Sequence, residues 1–343
     1  MKLCITGGGT GGHLMIAQAL VEAATANGHE VIFIGSKTGQ DRKYFATHSA
    51  FSYVYFLETT GVVNQKGIGK IKALLKVFKA FFISRNILKK HNIRAVYSVG
   101  GFSAAPASFA AISKFIPLFI HEQNAVVGKL NSILRPFSKR FISAYEKDSP
   151  IKGYPVKDIC FINSRVRSEL KTIIFLGGSH GAKAINDLAL SVANELKEKG
   201  INIIHQAGEK DYDRVKSEYE KLGVEVELCA FTKELQSLIK KADLAVSRAG
   251  ASTLWELCAN GVPTLFIPYP YAAGDHQFFN AKFIVDNNLG WCEREDEELK
   301  SKLLSILEED LKEKSEALLK YSNRNVADKM IKDVIEVIKC LKS

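Results

Sequence analysis

The chain has 343 residues, 46% of them hydrophobic and 24% charged, which is the composition of a soluble globular protein large enough for two domains. Its formal net charge of +10 favours an anionic partner, and a phosphorylated substrate, an anionic membrane surface and nucleic acid all fit that sign. The six cysteines have neither CxxC nor Cys/His spacing, which argues against a disulfide framework and a zinc site and for reduced thiols in a cytoplasm.

Short apolar strands alternate with helices along the chain. A strand predicted at 2–6, with no secretory signal expected, leads to a helix at about 15–27 and a strand at 29–35. The alternation restarts at 172–178 and continues with a helix at about 184–199. This order predicts two α/β domains, each a doubly wound parallel sheet with helices on both faces.

The two halves share one plan, because residues 94–124 and 243–280 follow the same order of strand, glycine turn, helix, strand and polar turn. Gly153 and Pro155 interrupt the periodicity between them, so the join is predicted near residues 153–159. The predicted bounds are 1–157 for the first domain and 158–324 for the second, with an amphipathic C-terminal helix inside 325–343 that could return to the first domain. Two similar domains facing each other would leave a cleft, which is a favoured place for a ligand.

Glycine-rich turns follow three of the predicted strands, at 7–13, 100–103 and 177–182. Glycine lets the backbone approach a ligand closely, and the amides at the start of the following helix can bind a phosphate. The first turn also matches GxGxxG, but Gly35 and Ser36 stand where a dinucleotide fold needs an acid, and no GK[ST] follows the glycines. The three turns together predict an extended, phosphate-rich ligand.

The stretch 247–281 combines three kinds of contact that a nucleotide sugar needs. A helix predicted from residue 251 follows a strand directly, so its free amides and the hydroxyl of Ser252 or Thr253 would meet a phosphate. Glu256, one turn later, would accept two vicinal hydroxyls of a ribose. The loop after the next strand adds Asp275, His276, Gln277 and Asn280. The alternative is an ordinary turn whose polar residues only cap the helix.

Two strand ends in the first half carry candidate catalytic bases. His13 lies at the mouth of the first glycine turn, where it is a candidate general base, and capping or packing is the alternative. The motif HEQN at 121–124 offers Glu122 as a second candidate, unless that carboxylate braces its own turn. Asp211 and Asp213 imitate a metal-binding DxD motif, but they begin a polar helix, so we interpret them as structural and expect no metal site.

Residues 68–90 predict a basic amphipathic helix. The candidate membrane contacts are Ile71, Leu75, Phe78, Phe81 and Phe82, with Lys72, Lys76 and Lys79 between them. Apolar insertion and lysine attraction together favour an anionic bilayer surface, and packing of this stripe into the core is the alternative. The most apolar stretch, 102–120, is broken by Lys114 and Pro117, so any membrane contact is expected to be peripheral.

Seven motifs, in this order, resemble those of the MurG family over nearly the whole chain: GGGTGGH, VGGF, HEQN, GYPV, GGSHGA, RAGAST followed by Glu256, and DHQ followed by NA. The resemblance implies a GT-B fold of two Rossmann-like domains, with the C-terminal helix packed on the first. It implies inverting transfer of N-acetylglucosamine from UDP-N-acetylglucosamine to the muramyl C4 hydroxyl of lipid I (undecaprenyl-pyrophosphoryl-muramyl-pentapeptide), which makes lipid II for peptidoglycan. It also implies a peripheral protein at the cytoplasmic face of the cell membrane.

The resemblance further assigns residues to the two substrates. For UDP-N-acetylglucosamine it implies contacts from Thr10, Gly11, Gly12, Asn124, Lys157, Ser179, Phe231, Thr232, Ala251, Ser252, Thr253, Glu256, Gln277 and Asn280. For the acceptor's pyrophosphate it implies Gly8, Gly9, Gly100, Gly101 and Ser103. The chain departs from the family pattern at Lys157, where Arg is common, at Tyr154, where Asn is usual, and at His180, where Gln is usual. Lysine offers a point charge where arginine offers a planar fork.

The resulting expectation is a glycosyltransferase without a metal or other cofactor. Its expected partners are UDP-N-acetylglucosamine, lipid I, an anionic membrane surface and other cell-wall synthesis proteins, and not nucleic acid. One alternative is a UDP-N-acetylglucosamine epimerase or another UDP-sugar-dependent lipid glycosyltransferase on the same fold. The other is a binding module without chemistry. His13 and the basic helix favour transfer to a lipid.

Overall fold

The computed structural model describes residues 1–62, 65–178, 181–232 and 234–341. Contacts along the chain divide it into two units. The first holds Met1–Val156 and the C-terminal segment from Asn325, and the second holds Lys157–Arg324. Each unit has its own hydrophobic core, so each meets the physical definition of a domain.

The first unit alternates strands with helices. Its elements are β1 (Lys2–Thr6), α1 (Gly11–Ala26), β2 (Glu30–Ser36), α2 (Asp41–Phe45), β3 (Tyr53–Leu57), α3 (Gly67–Lys90), β4 (Ala95–Ser98), α4 (Ala105–Ser113), β5 (Leu118–Glu122), α5 (Lys129–Leu134) and β6 (Arg140–Ser143). The strands form one parallel sheet in the order β3-β2-β1-β4-β5-β6. The order reverses between β1 and β4, and such a switch point opens a crevice beyond the carboxyl ends of the two strands.

The second unit repeats this plan. Its elements are α6 (Asp158–Ile162), β7 (Thr172–Leu176), α7 (Lys183–Ser191), α8 (Ala193–Glu198), β8 (Asn202–Gln206), α9 (Tyr212–Leu222), β9 (Val226–Cys229), α10 (Leu235–Lys241), β10 (Leu244–Ser247), α11 (Ala251–Asn260), β11 (Thr264–Phe266), α12 (His276–Asp286), β12 (Trp291–Cys292), α13 (Leu299–Ile306) and α14 (Leu311–Tyr321). Its parallel sheet has the order β12-β11-β10-β7-β8-β9, with the switch point between β7 and β10. The helix predicted at 184–199 is interrupted at Val192 (φ −109°, ψ 2°).

The last helix, α15 (Val326–Cys340), packs on the first unit. Asn27 Nδ2 at the end of α1 donates to Asp328 Oδ1 at 2.7 Å, and Arg140 Nε on β6 donates to Asp333 Oδ1 at 3.2 Å. One side of the helix is buried, including Met330, Ile331 and Val334. The chain therefore enters the first unit twice, and its C-terminal helix packs there through its buried side.

Several large apolar residues of α3 face outward, while Ile87 and Leu88 near its end join smaller residues in the core. Ala73, Ala80 and Ser84 are buried. The exposed apolar side chains are Ile71 (59%), Leu74 (51%), Leu75 (56%), Phe78 (59%) and Phe82 (50%). Packing of this stripe into the core, the alternative considered from the sequence, is therefore wrong for these five residues. In the described part of the chain, no helix is long and apolar enough to cross a bilayer.

Phe81 differs from the other predicted membrane contacts. It is partly buried and packs against the core of the first unit, and the guanidinium of Arg85 lies 5.8 Å from its ring centroid. The sequence pattern placed it in the apolar surface because it adjoins Phe82, but successive helical positions point about 100° apart. Phe81 is therefore partly covered by the core, unlike the exposed Phe82.

A buried histidine links three elements of the second unit. His205 on β8 is fully buried, with Nε2 at 3.0 Å from Asn186 Oδ1 and Nδ1 at 3.0 Å from the Tyr219 hydroxyl. Asn186 donates its amide hydrogens to Ala207 O and to Asp211 Oδ2, so its Oδ1 faces His205 and can only accept. The ring therefore carries its proton on Nε2 and accepts from Tyr219 at Nδ1. Burial lowers the pKa of His205 to about 3.

We expect acid to destabilise the second unit through His205. Its folded-state pKa of about 3 lies below the ordinary value of 6.5, so between these pH values the unfolded chain binds a proton that the folded unit does not. The stability from the neutral ring is fully present above pH 6.5. Below that pH the free energy of unfolding falls by about 1.4 kcal/mol per pH unit, so the loss is about 2 kcal/mol at pH 5. Urea unfolding at pH 7 and pH 5, followed by tryptophan fluorescence, checks this, because both tryptophans, Trp255 and Trp291, lie in this unit.

The variant His205→Gln should lose less stability between pH 7 and pH 5 than the wild type. His276→Gln, which replaces a partly exposed histidine of the same unit, is the matched control. An equal loss in the wild type and in His205→Gln would contradict the assignment.

Candidate active site

Two amides of the first glycine turn donate hydrogen bonds to other parts of the first unit. Gly8 N–H donates to Gly100 O at 3.0 Å, and Gly9 N–H donates to Asp41 Oδ1 at 2.5 Å. Neither amide is available to an anion in this arrangement. In this arrangement the N–H groups of Gly8 and Gly9 therefore cannot make the predicted contact with the acceptor's pyrophosphate.

The start of α1 supplies the amides that remain. The helix begins at Gly11, earlier than the predicted start near residue 15, because the prediction began at the first apolar residue. The first-turn amides of Gly11 and Gly12 have no acceptor within the helix and lie at its positive dipole end. Amides in this position are of the kind that binds anions at helix N-termini.

Asp41, at the start of α2, is a site residue that the sequence analysis missed. It is fully buried and accepts the N–H groups of Gly9 and, at 2.8 Å, Ser36. Burial raises the pKa of Asp41, and these two hydrogen bonds oppose the rise. A Cβ on Gly8 would lie 2.6 Å from Asp41 Oδ1, so only glycine fits against this carboxylate. Acidic residues are common in the first turn of a helix, so the sequence did not indicate that Asp41 holds the glycine turn.

The second glycine turn packs directly on the first. Gly100 and Gly101 have φ values of 85° and 77°, which favour glycine, and a Cβ on Gly101 would overlap Gly8 O. Ser103 is only 1% exposed, so its hydroxyl is not on the surface that a pyrophosphate would reach. The roles predicted for Gly100 and Gly101 stay predictions.

His13 lies in the first turn of α1 between two polar side chains. Its Nδ1 is 2.9 Å from Thr10 Oγ1, and its Nε2 is 3.1 Å from Gln123 Nε2. Gln123 Nε2 also lies 3.3 Å from Nδ1, so its shorter contact is the one to Nε2. An amide nitrogen can only donate, so this contact makes Nε2 an acceptor and favours the tautomer with the ring proton on Nδ1, facing the Thr10 oxygen. A neutral histidine with an accepting Nε2 is the form that a general base needs. Thr10, predicted as a donor-sugar contact, has a hydroxyl that can accept from Nδ1 in this tautomer.

Glu122 braces the turn that follows β5. Its Oε1 accepts Asn124 N–H at 3.0 Å, and its Oε2 accepts Gly128 N–H and Asn131 Nδ2, both at 2.9 Å. The side chain is 3% exposed, and burial raises its pKa while these three donors oppose the rise. With three donors already on the carboxylate, the geometry favours the bracing role considered from the sequence over that of a second base.

The start of α11 forms the corresponding edge of the second unit. Ala251 is buried and Ser252 and Thr253 are partly buried, and their amides open the helix directly after β10. Asn280 is fully buried and donates through Nδ2 to Ala249 O at 3.1 Å, so it supports the turn into this helix. The predicted phosphate site thus has the backbone that it requires.

Glu256 lies one turn into α11 with both carboxylate oxygens engaged. Ser252 Oγ donates to Oε1 at 3.0 Å, and Gln236 Nε2 donates to Oε2 at 2.9 Å. Burial of the carboxyl group raises its pKa, and Ser252, the charge of Lys157 and Gln236 oppose that rise. Each oxygen keeps a second lone pair, so the carboxylate retains the hydrogen-bonding capacity to accept two hydroxyls. Gln236 gave no signal in the sequence.

Of the other predicted donor contacts, Phe231, Thr232 and Lys157 lie on loops of the same unit. Gln277 lies in the first turn of α12, and Asn124 follows β5 in the first unit. Phe231, after β9, is 50% exposed, and the Thr232 hydroxyl accepts Glu234 N–H at 2.9 Å. Lys157 directly precedes α6, and Gln277 Oε1 accepts Tyr269 N–H at 3.0 Å. Ser179 and His180 lie outside the described residues.

Asp211, the first acid of the DxD-like pair, is part of the protein's own hydrogen-bond network. Asp211 accepts from Arg214 Nε at 2.7 Å and from Asn186 Nδ2 at 2.7 Å, and the bond to Arg214 holds its pKa below the usual range. This geometry agrees with the structural interpretation of Asp211. Over the residues described, His, Cys, Asp and Glu form no group that could hold a metal ion.

Comparison with known proteins agrees with this architecture. Residues 3–143 match the glycosyltransferase family 28 N-terminal domain, and residues 172–338 match the family's C-terminal domain. The crystal structure of Acinetobacter baumannii MurG is similar to this chain with a TM-score of 0.80 and 26% identity, over 98% of this chain and 99% of that one. The predicted GT-B fold of two Rossmann-like domains is confirmed.

Two curated relatives are similar over nearly their whole length. The Sulfurimonas denitrificans protein is 72% identical over 335 residues, 98% of each chain, and the Wolinella succinogenes protein is 56% identical over 330 residues, 96% of this chain and 98% of that one. Both are named UDP-N-acetylglucosamine–N-acetylmuramyl-(pentapeptide) pyrophosphoryl-undecaprenol N-acetylglucosamine transferase. The chain therefore belongs to the MurG family, within glycosyltransferase family 28.

Proposed function

We propose that the protein transfers N-acetylglucosamine from UDP-N-acetylglucosamine to the muramyl C4 hydroxyl of lipid I, making lipid II for peptidoglycan synthesis. The observation that carries the proposal is the 72% identity, over 98% of both chains, with a relative named for this transfer. The polar groups at the sheet edges of the two units support it, because each edge offers what one substrate needs.

The second unit would bind the donor. The first-turn amides of α11 would hold the diphosphate, and Glu256 would accept the ribose hydroxyls. Phe231 and Thr232 would contact the uracil, with Lys157 nearby as a cation. Ser252 would act through Glu256, since its hydroxyl already donates to that carboxylate.

The first unit would bind the acceptor. Its pyrophosphate would meet the amides of Gly11 and Gly12 at the start of α1, which the resemblance had assigned to the donor, and the backbone at Gly101 would complete the contact. The N–H of Gly100 already donates to Ser98 Oγ. Glu122 and Asp41 would keep these turns in shape without touching the substrate.

His13 would be the general base of an inverting displacement. The acceptor's C4 hydroxyl attacks the anomeric carbon and gives its proton to His13 Nε2. The bond between that carbon and the UDP oxygen breaks, and its electron pair leaves on the β-phosphate. The first-turn amides of α11 would stabilise the charge that builds there. Attack on the face opposite the leaving group inverts the anomeric configuration.

The direct test is incubation with UDP-N-acetylglucosamine labelled in the sugar and a lipid I analogue. The expected product is a labelled disaccharide-lipid with inverted anomeric configuration, formed only when the acceptor is present. Conversion of the donor to an epimer without acceptor would identify the epimerase instead. Binding of UDP without turnover of either kind would identify a binding module.

The exposed side of α3 supports peripheral attachment to the cytoplasmic face of an anionic membrane. Phe78 and Phe82, with ring centroids 5.0 Å apart, lie exposed among Lys72, Lys76 and Lys79. A run of exposed apolar side chains is unusual on a soluble protein, and the surrounding lysines would attract anionic headgroups. Attachment through this surface would bring the protein to the membrane in which the acceptor's lipid tail is embedded.

Replacing Phe78 and Phe82 with Ser, or Lys72, Lys76 and Lys79 with Glu, should release the protein from anionic vesicles. The first change removes apolar insertion and the second removes an attraction that salt screens, so wild-type binding should also weaken as salt is raised. Sedimentation with vesicles measures both. Three exposed lysines of the second unit, Lys210, Lys216 and Lys240, changed to Glu give the same net charge as a control. Wild-type sedimentation of both α3 variants at moderate salt would contradict the membrane role.

A further inference from the structure

Three side chains of the second unit form a hydrogen-bonded chain that ends on the Glu256 carboxylate. Asn260 Nδ2 donates to Gln236 Oε1 at 3.0 Å, and Gln236 Nε2 donates to Glu256 Oε2 at 2.9 Å. Asn260 Nδ2 also donates to Glu256 O at 2.9 Å, one turn back along α11. The chain therefore ties α10, which carries Gln236, to the helix that carries the carboxylate.

Only one orientation of the two amides satisfies this chain. The carboxylate and the backbone carbonyl of Glu256 both accept, so Asn260 and Gln236 must both turn their NH₂ groups toward Glu256. Gln236 then presents Oε1 to Asn260, which donates to it. A flipped Gln236 would set its carbonyl oxygen against the carboxylate. Asn260 thus determines which end of Gln236 faces Glu256.

The hydrogen bonds among Asn260, Gln236 and Glu256 are largely shielded from water. Asn260 is fully buried and Gln236 is partly buried. Ser252 holds one oxygen of the carboxylate and Gln236 holds the other, so the plane of the group is fixed from both sides. Both partners donate, and donors favour the ionised form that accepts hydroxyl protons.

We propose that Gln236, oriented by Asn260, is a positioning residue for nucleotide recognition, because it holds the Glu256 carboxylate in the plane that accepts the ribose hydroxyls. The inference rests on the proposed role of Glu256 as the ribose contact. A carboxylate that is already fixed loses less rotamer freedom when the ribose binds. Affinity for the nucleotide then depends on a side chain that acts through Glu256.

Calorimetric titration of Gln236→Met with UDP and with 2′-deoxy-UDP tests the inference. Methionine keeps the length of the side chain and removes the donor. The Kd for UDP should rise about tenfold, the size of one hydrogen bond to a charged group, while 2′-deoxy-UDP, which lacks one of the two hydroxyls, should be affected much less. The KM for UDP-N-acetylglucosamine should rise with kcat nearly unchanged. Asn260→Ala, like Gln236→Met, should reduce the preference for UDP over 2′-deoxy-UDP.

Gln18→Met is the matched control, because it removes a Gln–Glu hydrogen bond of the same length, Gln18 Nε2 to Glu22 Oε1 at 2.9 Å, on α1 of the first unit. Equal weakening of both nucleotides by Gln236→Met would show a general structural effect and overturn the inference, as would unchanged UDP affinity. A wild type that binds UDP and 2′-deoxy-UDP equally would overturn the ribose role of Glu256 itself, so the two failures are distinguishable.

Discussion

Replacing His13 with alanine is expected to lower kcat by about 10²-fold or more while donor affinity changes little, which is the usual size of a general-base contribution. The physical reason is the geometry of the first turn of α1, where Thr10 Oγ1 lies 2.9 Å from His13 Nδ1, and Nε2, which accepts from Gln123 Nε2 at 3.1 Å, is the nitrogen proposed to take the proton. Formation of disaccharide-lipid gives kcat, and calorimetry with UDP gives the donor affinity.

The pH dependence separates a base from a binding residue. Wild-type kcat should fall on the acid side, because a protonated imidazole cannot accept another proton, and this acid limb should be absent in His13→Ala. His29→Ala, which removes a histidine just before β2, is the control. Near-normal kcat with only a raised KM would mean that His13 positions a substrate and that the base is another group.

Glu256→Ala should weaken UDP binding by about 10²-fold or more, because two charge-assisted hydrogen bonds to the ribose would be lost. The loss also leaves Ser252 and Gln236 without the acceptor to which both now donate. Calorimetric titration with UDP measures the effect.

The KM for the lipid I analogue should stay close to that of the wild type, because the acceptor is assigned to the first unit. Glu309→Ala, which removes an exposed glutamate of the same unit as Glu256, controls for the loss of one negative charge. If Glu256→Ala binds UDP as tightly as the wild type, the donor assignment fails, and the ribose must be held elsewhere.

Local patterns in the sequence were sufficient to predict the architecture. Strand-length apolar runs that alternate with helices predict parallel sheets, because a parallel strand needs a crossover connection, and both six-stranded sheets follow this rule. The start of α11 at Ala251 was predicted because a turn after a buried strand is a local signal. The apolar stripe of α3 was also visible, since helical periodicity is local.

Which groups occupy which hydrogen bonds depended on the tertiary structure. Asp41 Oδ1 holds the amide of Gly9, and the carbonyl of Gly100 holds that of Gly8, so two amides predicted to bind phosphate are already used. Gln236 meets Glu256 from a separate helix. Periodicity also could not show that Phe78 and Phe82 are exposed while Phe81 packs against the core. The physical reason is that a parallel sheet brings the carboxyl ends of strands together from distant parts of the chain, and the pairing of buried polar groups at that edge depends on distances that no local pattern contains.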